Sequence, residues 1–242
     1  MRPAIDVQPV VNVFRRRRYL VLLGALLILL VVQPIATEFG DMGPLFDALF
    51  ALVMLVLALV LSQEKIWRAM ACIVLIPAAA LSTGGHLLTS TAQTVSLTAG
   101  HAIGALFFVA VAGKIIHSIL ALPDLTWDSI FGAICGYLLL GVACALTYSM
   151  LYAANPAAFQ LGDSVRMQIE QADYSRHIFI YYSFVTLTTV GYGDIIPLSV
   201  PARTLSWVEA MAGQLYLAIL VAGLISALVA SKSADTRRAG IL

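Results

Sequence analysis

The chain has 242 residues, of which 61 % are hydrophobic and 11 % charged. A water-soluble domain carries about 25 % charged residues, so this supply excludes an ordinary solvent-facing surface and places the protein in a membrane. The formal net charge of +1 says little about partners, because in membrane proteins the position of charge outweighs its sum.

A helix crosses the hydrocarbon core with roughly 20 apolar residues, about 17 to 25 being tolerated. In chain order the runs that meet this need are Tyr19–Ile35, Leu45–Leu61, Ile66–Leu81, Ser96–Leu120, Ser129–Leu151 and Leu205–Ala230. The third is the weakest, interrupted by Pro77 and ended early by STGGH. Pro34, Pro44 and Pro123 fall at boundaries, where a missing backbone donor does least harm. Thr126 and Asp128 supply capping oxygens where the fifth run begins. The first run follows the basic block Arg15–Arg18, a pattern shared with signal peptides. No small-residue cleavage site follows it, and its removal would break the parity described next.

Eleven of the fourteen basic residues collect on one side of these spans: Arg2, Arg15–Arg18, Lys65, Arg68, Lys114, Lys232, Arg237 and Arg238. Only Arg166, Arg176 and Arg203 fall on the other. Positive residues stay cytoplasmic, which predicts both termini inside and an even number of spans in a multi-pass protein, expected in the plasma (inner) membrane. Six spans satisfy this.

The first four spans carry little chemistry. Voltage sensing needs several basic residues at every third position of one span, and the fourth has only Lys114, with His101 and His117 nearer its ends. The four histidines, His86, His101, His117 and His177, make no HxxH or HExxH pattern. Cys72, Cys135 and Cys144 lie in apolar runs without CxxC spacing and read as small packing residues. GHAIG (Gly100–Gly104) and GAICG (Gly132–Gly136) place small residues at i, i+4, which favours close helix contact. Asp47 in the second run has no evident partner. No nucleophile–base pair, metal set, cofactor motif or basic–aromatic nucleic-acid surface is legible, so an enzyme is not expected.

Between the fifth and sixth runs, on the outer side, lie a polar segment (Asn155–Arg176), the short apolar run HIFIYYSFVTLTT, and the stretch TTVGYGD (Thr188–Asp194). The apolar run has helix length but cannot span. Irregular backbone at membrane depth is tolerated only where it is buried in protein or lines a watery path. Gly191 and Gly193 can adopt φ > 0, which side chains with a Cβ avoid. Alternating such residues turns successive carbonyls to one side. Asp163, Glu170 and Asp173 of the polar segment lie at the same outer side, where they raise local cation concentration or simply form a solvated cap.

TTVGYGD resembles the potassium-channel selectivity filter, in which four TVGYG loops replace the hydration shell of K+ with carbonyl oxygens. The resemblance extends over about residues 126–230, since TWDSIFGAICGYLLLGVACALTY is similar to the outer helix of small bacterial potassium channels. It implies an all-α integral membrane fold: six transmembrane helices, a re-entrant pore helix and filter between helices five and six, and a homotetramer around one ion path. It further implies K+ bound at Thr189, Val190, Gly191 and Tyr192, with Gly193 shaping the outer mouth and no other cofactor. Support is expected from Tyr181, which would hydrogen-bond Asp194, and from Tyr182, which would pack near the filter tyrosine. A glutamate found behind the filter in some channels is replaced by Val185.

In the last span, Gly213 lies where related channels carry a hinge glycine and Gly223 nearly three turns further in. Close packing is the competing reading for both. Leu224, Ile225 and Leu228 are candidates for an inner constriction closing by dewetting, while Glu209 and Gln214 are expected to be satisfied behind the filter. The resulting organisation is a basic N-terminus (1–18), a four-helix scaffold (19–122), a pore domain (126–230) and a cytoplasmic tail (231–242) too short for a ligand-binding module.

Overall fold

The computed structural model describes residues 17–37, 53, 56–57, 90–121, 126–163, 165–166 and 175–238. Among them the protein is mostly helical: α1 (Arg18–Thr37), α2 (Ser90–Leu120), α3 (Trp127–Ala154), α4 (Ser175–Leu187), α5 (Val200–Leu215) and α6 (Ala222–Arg238), with short strands β1 (Phe159–Leu161) and β2 (Ile195–Pro197). A π-helical segment, Tyr216–Val221, joins α5 to α6 without a break.

Three stretches among the described residues are long and apolar enough to cross a membrane: Thr98–Leu120, Trp127–Ala154 and Val200–Ala230. They fall on the fourth, fifth and sixth runs of the sequence. The first run forms α1, a helix of 20 residues in which Arg18–Val32 is the described apolar stretch. The second and third runs lie outside the described residues except for Val53, Val56 and Leu57, which are helical and buried. Asp47, Cys72 and His86 also lie outside them.

α3 is the centre of the packing, lying against α1, α2 and α4. Its start is set locally. Thr126 Oγ1 accepts the Ser129 N–H, and Ser129 Oγ accepts the Thr126 N–H. Asp128 in the first turn faces the positive end of the helix dipole and accepts the Leu20 N–H at 3.3 Å, fastening α1. Small residues then let neighbours approach: Gly132 meets Tyr19 and Ile119, Gly136 meets the Tyr216 hydroxyl, and Gly141 meets Phe184 and Leu187.

The purely helical expectation is corrected by a two-stranded ribbon. The Asn155 N–H bonds the Leu151 carbonyl, its side chain accepts the Ala157 N–H, and Pro156 has no N–H with which to continue the helix. One 3₁₀ turn, Pro156–Ala158, redirects the chain into β1. β1 pairs antiparallel with β2, Phe159 opposite Pro197 and Leu161 opposite Ile195. Three residues alternating buried, exposed, buried are shorter than the four-residue minimum at which alternation becomes a readable strand signal.

Two apolar clusters result. One joins α1, α2 and α3 with Leu224 of α6. The other gathers Tyr148, Phe159, Phe179, Tyr182, Ile195 and Ala202 beside the glycine stretch.

Candidate functional site

α4 has 13 residues, about 20 Å of helix at 1.5 Å per residue, against a hydrocarbon core of about 30 Å. After Leu187 the chain leaves the helix, yet its donors turn back to it. The Thr188 N–H reaches the Phe184 carbonyl at 3.0 Å and the Thr189 N–H the Thr186 carbonyl at 2.9 Å. The Val190 and Gly191 N–H groups both reach the Val185 carbonyl, at 2.9 and 3.4 Å. Among the described residues, no backbone N–H meets the carbonyls of residues 189–193.

The backbone here alternates. Positive φ occurs at Thr189 (60°), Gly191 (58°) and Gly193 (82°), and nowhere else among the described residues. The two glycines are the positions that the sequence marks for this conformation. Thr189 is not, because a β-branched residue there costs about 1–2 kcal/mol. The one signal that finds it is the two-residue period, carried backward from Gly193 through Gly191.

The Asp194 end is clamped on two sides. The Tyr181 hydroxyl donates to Asp194 Oδ2 at 2.7 Å, and the Tyr181 ring stacks on Tyr192 at 6.4 Å between centroids with 5° between planes. The Asp194 carbonyl accepts the Gly162 N–H at 2.8 Å, so the β ribbon continues directly into the glycine stretch. Within the chain it is therefore Tyr181, not Tyr182, that reaches the filter-like tyrosine. Adjacent residues of a helix point about 100° apart, which sends Tyr182 inward to a 2.7 Å hydroxyl contact with Ser206 and to the rings of Tyr148 and Phe159.

At the Thr189 end Gln214 Nε2 donates to Thr189 Oγ1 at 3.2 Å. Gly213 lies directly against the Leu187 carbonyl, closer than any Cβ tolerates, and the Tyr137 hydroxyl donates to the same carbonyl at 3.3 Å. Close approach is thus the visible role of Gly213, whereas Gly223 faces open space. Of the three constriction candidates, Leu224 and Leu228 are buried within the chain and only Ile225, 43 % exposed, lies on an open face. Their α6 positions turn two of the three toward the chain's own core.

Large apolar groups remain uncovered on α1, α2 and the last span as well as at the glycine stretch. Val190 is 52 % and Tyr192 71 % exposed, and Trp207, Met211, Leu215 and Ile219 continue the exposure along the last span. In that span 17 % of the most apolar window is buried, against 61 % in α3. Among the described residues no group of three or more His, Cys, Asp or Glu side chains is placed to hold a metal ion. Cys135 and Cys144 are free thiols.

Comparison with known proteins covers this region. A family model described as "Ion channel" matches residues 105–230, which takes in α3, α4, the glycine stretch and the last span. The chain is similar, at 40 % identity over 65 residues, to Potassium channel AKT1 of Arabidopsis thaliana. The matched stretch is 25 % of this chain and 8 % of that relative. No solved structure matches the chain.

Proposed function

The chain belongs to the ion channel family, and from that premise we propose that four copies conduct potassium ions selectively through a shared path lined by Thr189–Gly193. The observation that carries this reading is the alternation of φ at Thr189, Gly191 and Gly193, with the preceding N–H groups drawn back onto α4. Donors spent on the helix end leave the carbonyls on the opposite side. Four such strands around an axis supply stacked rings of oxygen that replace the water of a dehydrated monovalent cation. K+ then sits at Thr189, Val190, Gly191 and Tyr192, and ions in adjacent sites push one another onward.

The remaining parts follow from this arrangement. α4 is the re-entrant pore helix, and the negative end of its dipole faces the inner end of the path. The Tyr181–Asp194 bond and the β ribbon hold the outer mouth. The exposed faces of Tyr192 and the last span are the surfaces that neighbouring copies cover. The resemblance to a named potassium channel supports K+ as the permeant ion. The chain further reads as six spans in the inner membrane with both termini cytoplasmic, without a conventional voltage sensor and without a cofactor beyond the ion itself.

Flux into liposomes containing the reconstituted full chain tests the reading. Potassium and rubidium should enter, sodium should not, and barium should block. Equal sodium and potassium flux eliminates selectivity. A tetramer silent under every voltage, pH and membrane tension points instead to a non-conducting scaffold.

A further inference from the structure

Behind the glycine stretch, three helices meet at one carboxyl group. Glu209 of α5 is 3 % exposed. The Tyr148 hydroxyl of α3 lies 2.6 Å from its Oε2, and Ser183 Oγ of α4 lies 2.5 Å from its Oε1. Ser183 Oγ is also 2.7 Å from the Gly141 carbonyl oxygen of α3. The titratable groups facing Glu209 are Tyr137, Cys144 and Tyr148 from α3 and Tyr182 from α4. None of these is a cation that would balance a carboxylate.

Counting hydrogens decides the state of the cluster. A hydroxyl has one hydrogen to donate. If Ser183 gives it to Glu209, its oxygen faces the Gly141 carbonyl at 2.7 Å with nothing between them. If it gives it to Gly141, its oxygen faces a bare carboxylate at 2.5 Å. Two lone pairs oppose each other either way. One added proton on Glu209 Oε1 removes the conflict. Glu209 then donates to Ser183, Ser183 donates to Gly141, and Tyr148 donates to Oε2. The Cys144 thiol also turns its hydrogen to the carboxyl, every hydroxyl hydrogen has an acceptor, and no unpaired charge is buried.

We propose that Glu209 is held as a neutral carboxylic acid at neutral pH and is a positioning residue for the ion path. The proposal rests on the reading of Thr189–Gly193 as that path. Ser183 sits two residues before Val185, whose carbonyl gathers the Val190 and Gly191 N–H groups. Rotation or slippage of α4 would carry that carbonyl away and release the start of the stretch. The hydrogen-bond chain ties α4 to α3 and α5 at the level where such movement begins.

Infrared spectroscopy of the reconstituted full chain gives a readout that does not depend on conduction. At pH 7 a neutral-carboxyl band should be present, shift with isotope-labelled glutamate, and vanish in Glu209→Gln. Its absence from the wild type overturns the proposal. Glu209→Gln, whose amide donates and accepts at the same two places, should keep rubidium uptake and potassium-over-sodium preference within about twofold. Glu209→Ala should assemble yet lose uptake by tenfold or more, or lose the preference. Failure of the Gln variant together with the Ala variant means that the path needs a charge, and full function in Glu209→Ala means that it needs no chain; either result overturns the proposal. If the wild type itself passes sodium and potassium equally, the conduction reading fails while the infrared result still reports the proton.

Discussion

At Tyr181 a single side chain does two jobs, stacking on Tyr192 and donating to Asp194. Burial first, then the bond to Asp194, pushes its phenol from 10.0 up to about 12. The stabilisation carried by the protonated donor is therefore complete below pH 10 and fades as pH rises through about 12. Tyr181→Phe keeps the ring and removes the donor, at about 1 kcal/mol for one hydrogen bond. Sustained rubidium uptake should fall roughly fivefold with this variant, while Tyr182→Phe, whose hydroxyl points to Ser206, should leave the outer mouth unchanged. Gly191 has no heavy atom within 4 Å of where a Cβ would stand, so in the single chain Gly191→Ala is opposed by its φ of 58° alone. That strain is about 1–2 kcal/mol per copy. The variant should insert into membranes at wild-type levels and lose potassium selectivity. Retained selectivity would contradict a path built from main-chain oxygens.

The elements are held by contacts that are specific in place rather than large in area. The last span touches α4 through Gly213, which rests on the Leu187 carbonyl, the last residue of α4 before the glycine stretch. Gly213→Ala drives a Cβ against the Leu187 backbone carbonyl, which cannot move aside as a side-chain tip would. Overpacking of this kind costs about 1–3 kcal/mol. Melting of the assembled protein in detergent should shift down accordingly, and uptake should fall with it; an unchanged melting point would restore hinge bending as the main role of this glycine. Three residues further on, the helix widens into the π segment Tyr216–Val221, whose first hydroxyl donates to the Ala133 carbonyl at 2.6 Å. Such widenings are frequent at functional sites. Here one pins the last span to α3 at a fixed level. The β ribbon does the same work at the Asp194 end, because β2 follows Asp194 immediately and cannot shift without moving it.

Taken whole, the single chain leaves its most distinctive residues uncovered. Tyr192 is 71 % exposed beside backbone carbonyls without N–H partners among the described residues, and the last span buries little of itself against its own chain. Native mass in mild detergent should give four copies, and variants that prevent assembly should abolish uptake altogether. Uptake by a monomer would remove the need for a shared axis.

Composition alone settled the membrane setting, since 11 % charged residues cannot coat a soluble surface. Local order settled the two glycine positions, the capped start of α3 and the three spans that carry the family match, because each depends on neighbours in sequence. Folding decided the rest. Thr189 takes the left-handed conformation because α4 draws in its N–H and Gln214 holds its hydroxyl. Tyr181 rather than Tyr182 meets Tyr192, Leu224 and Leu228 turn inward, and Glu209 closes a chain across three helices. These outcomes depend on which helix faces lie opposite one another, and that information exists only after residues far apart in sequence have met.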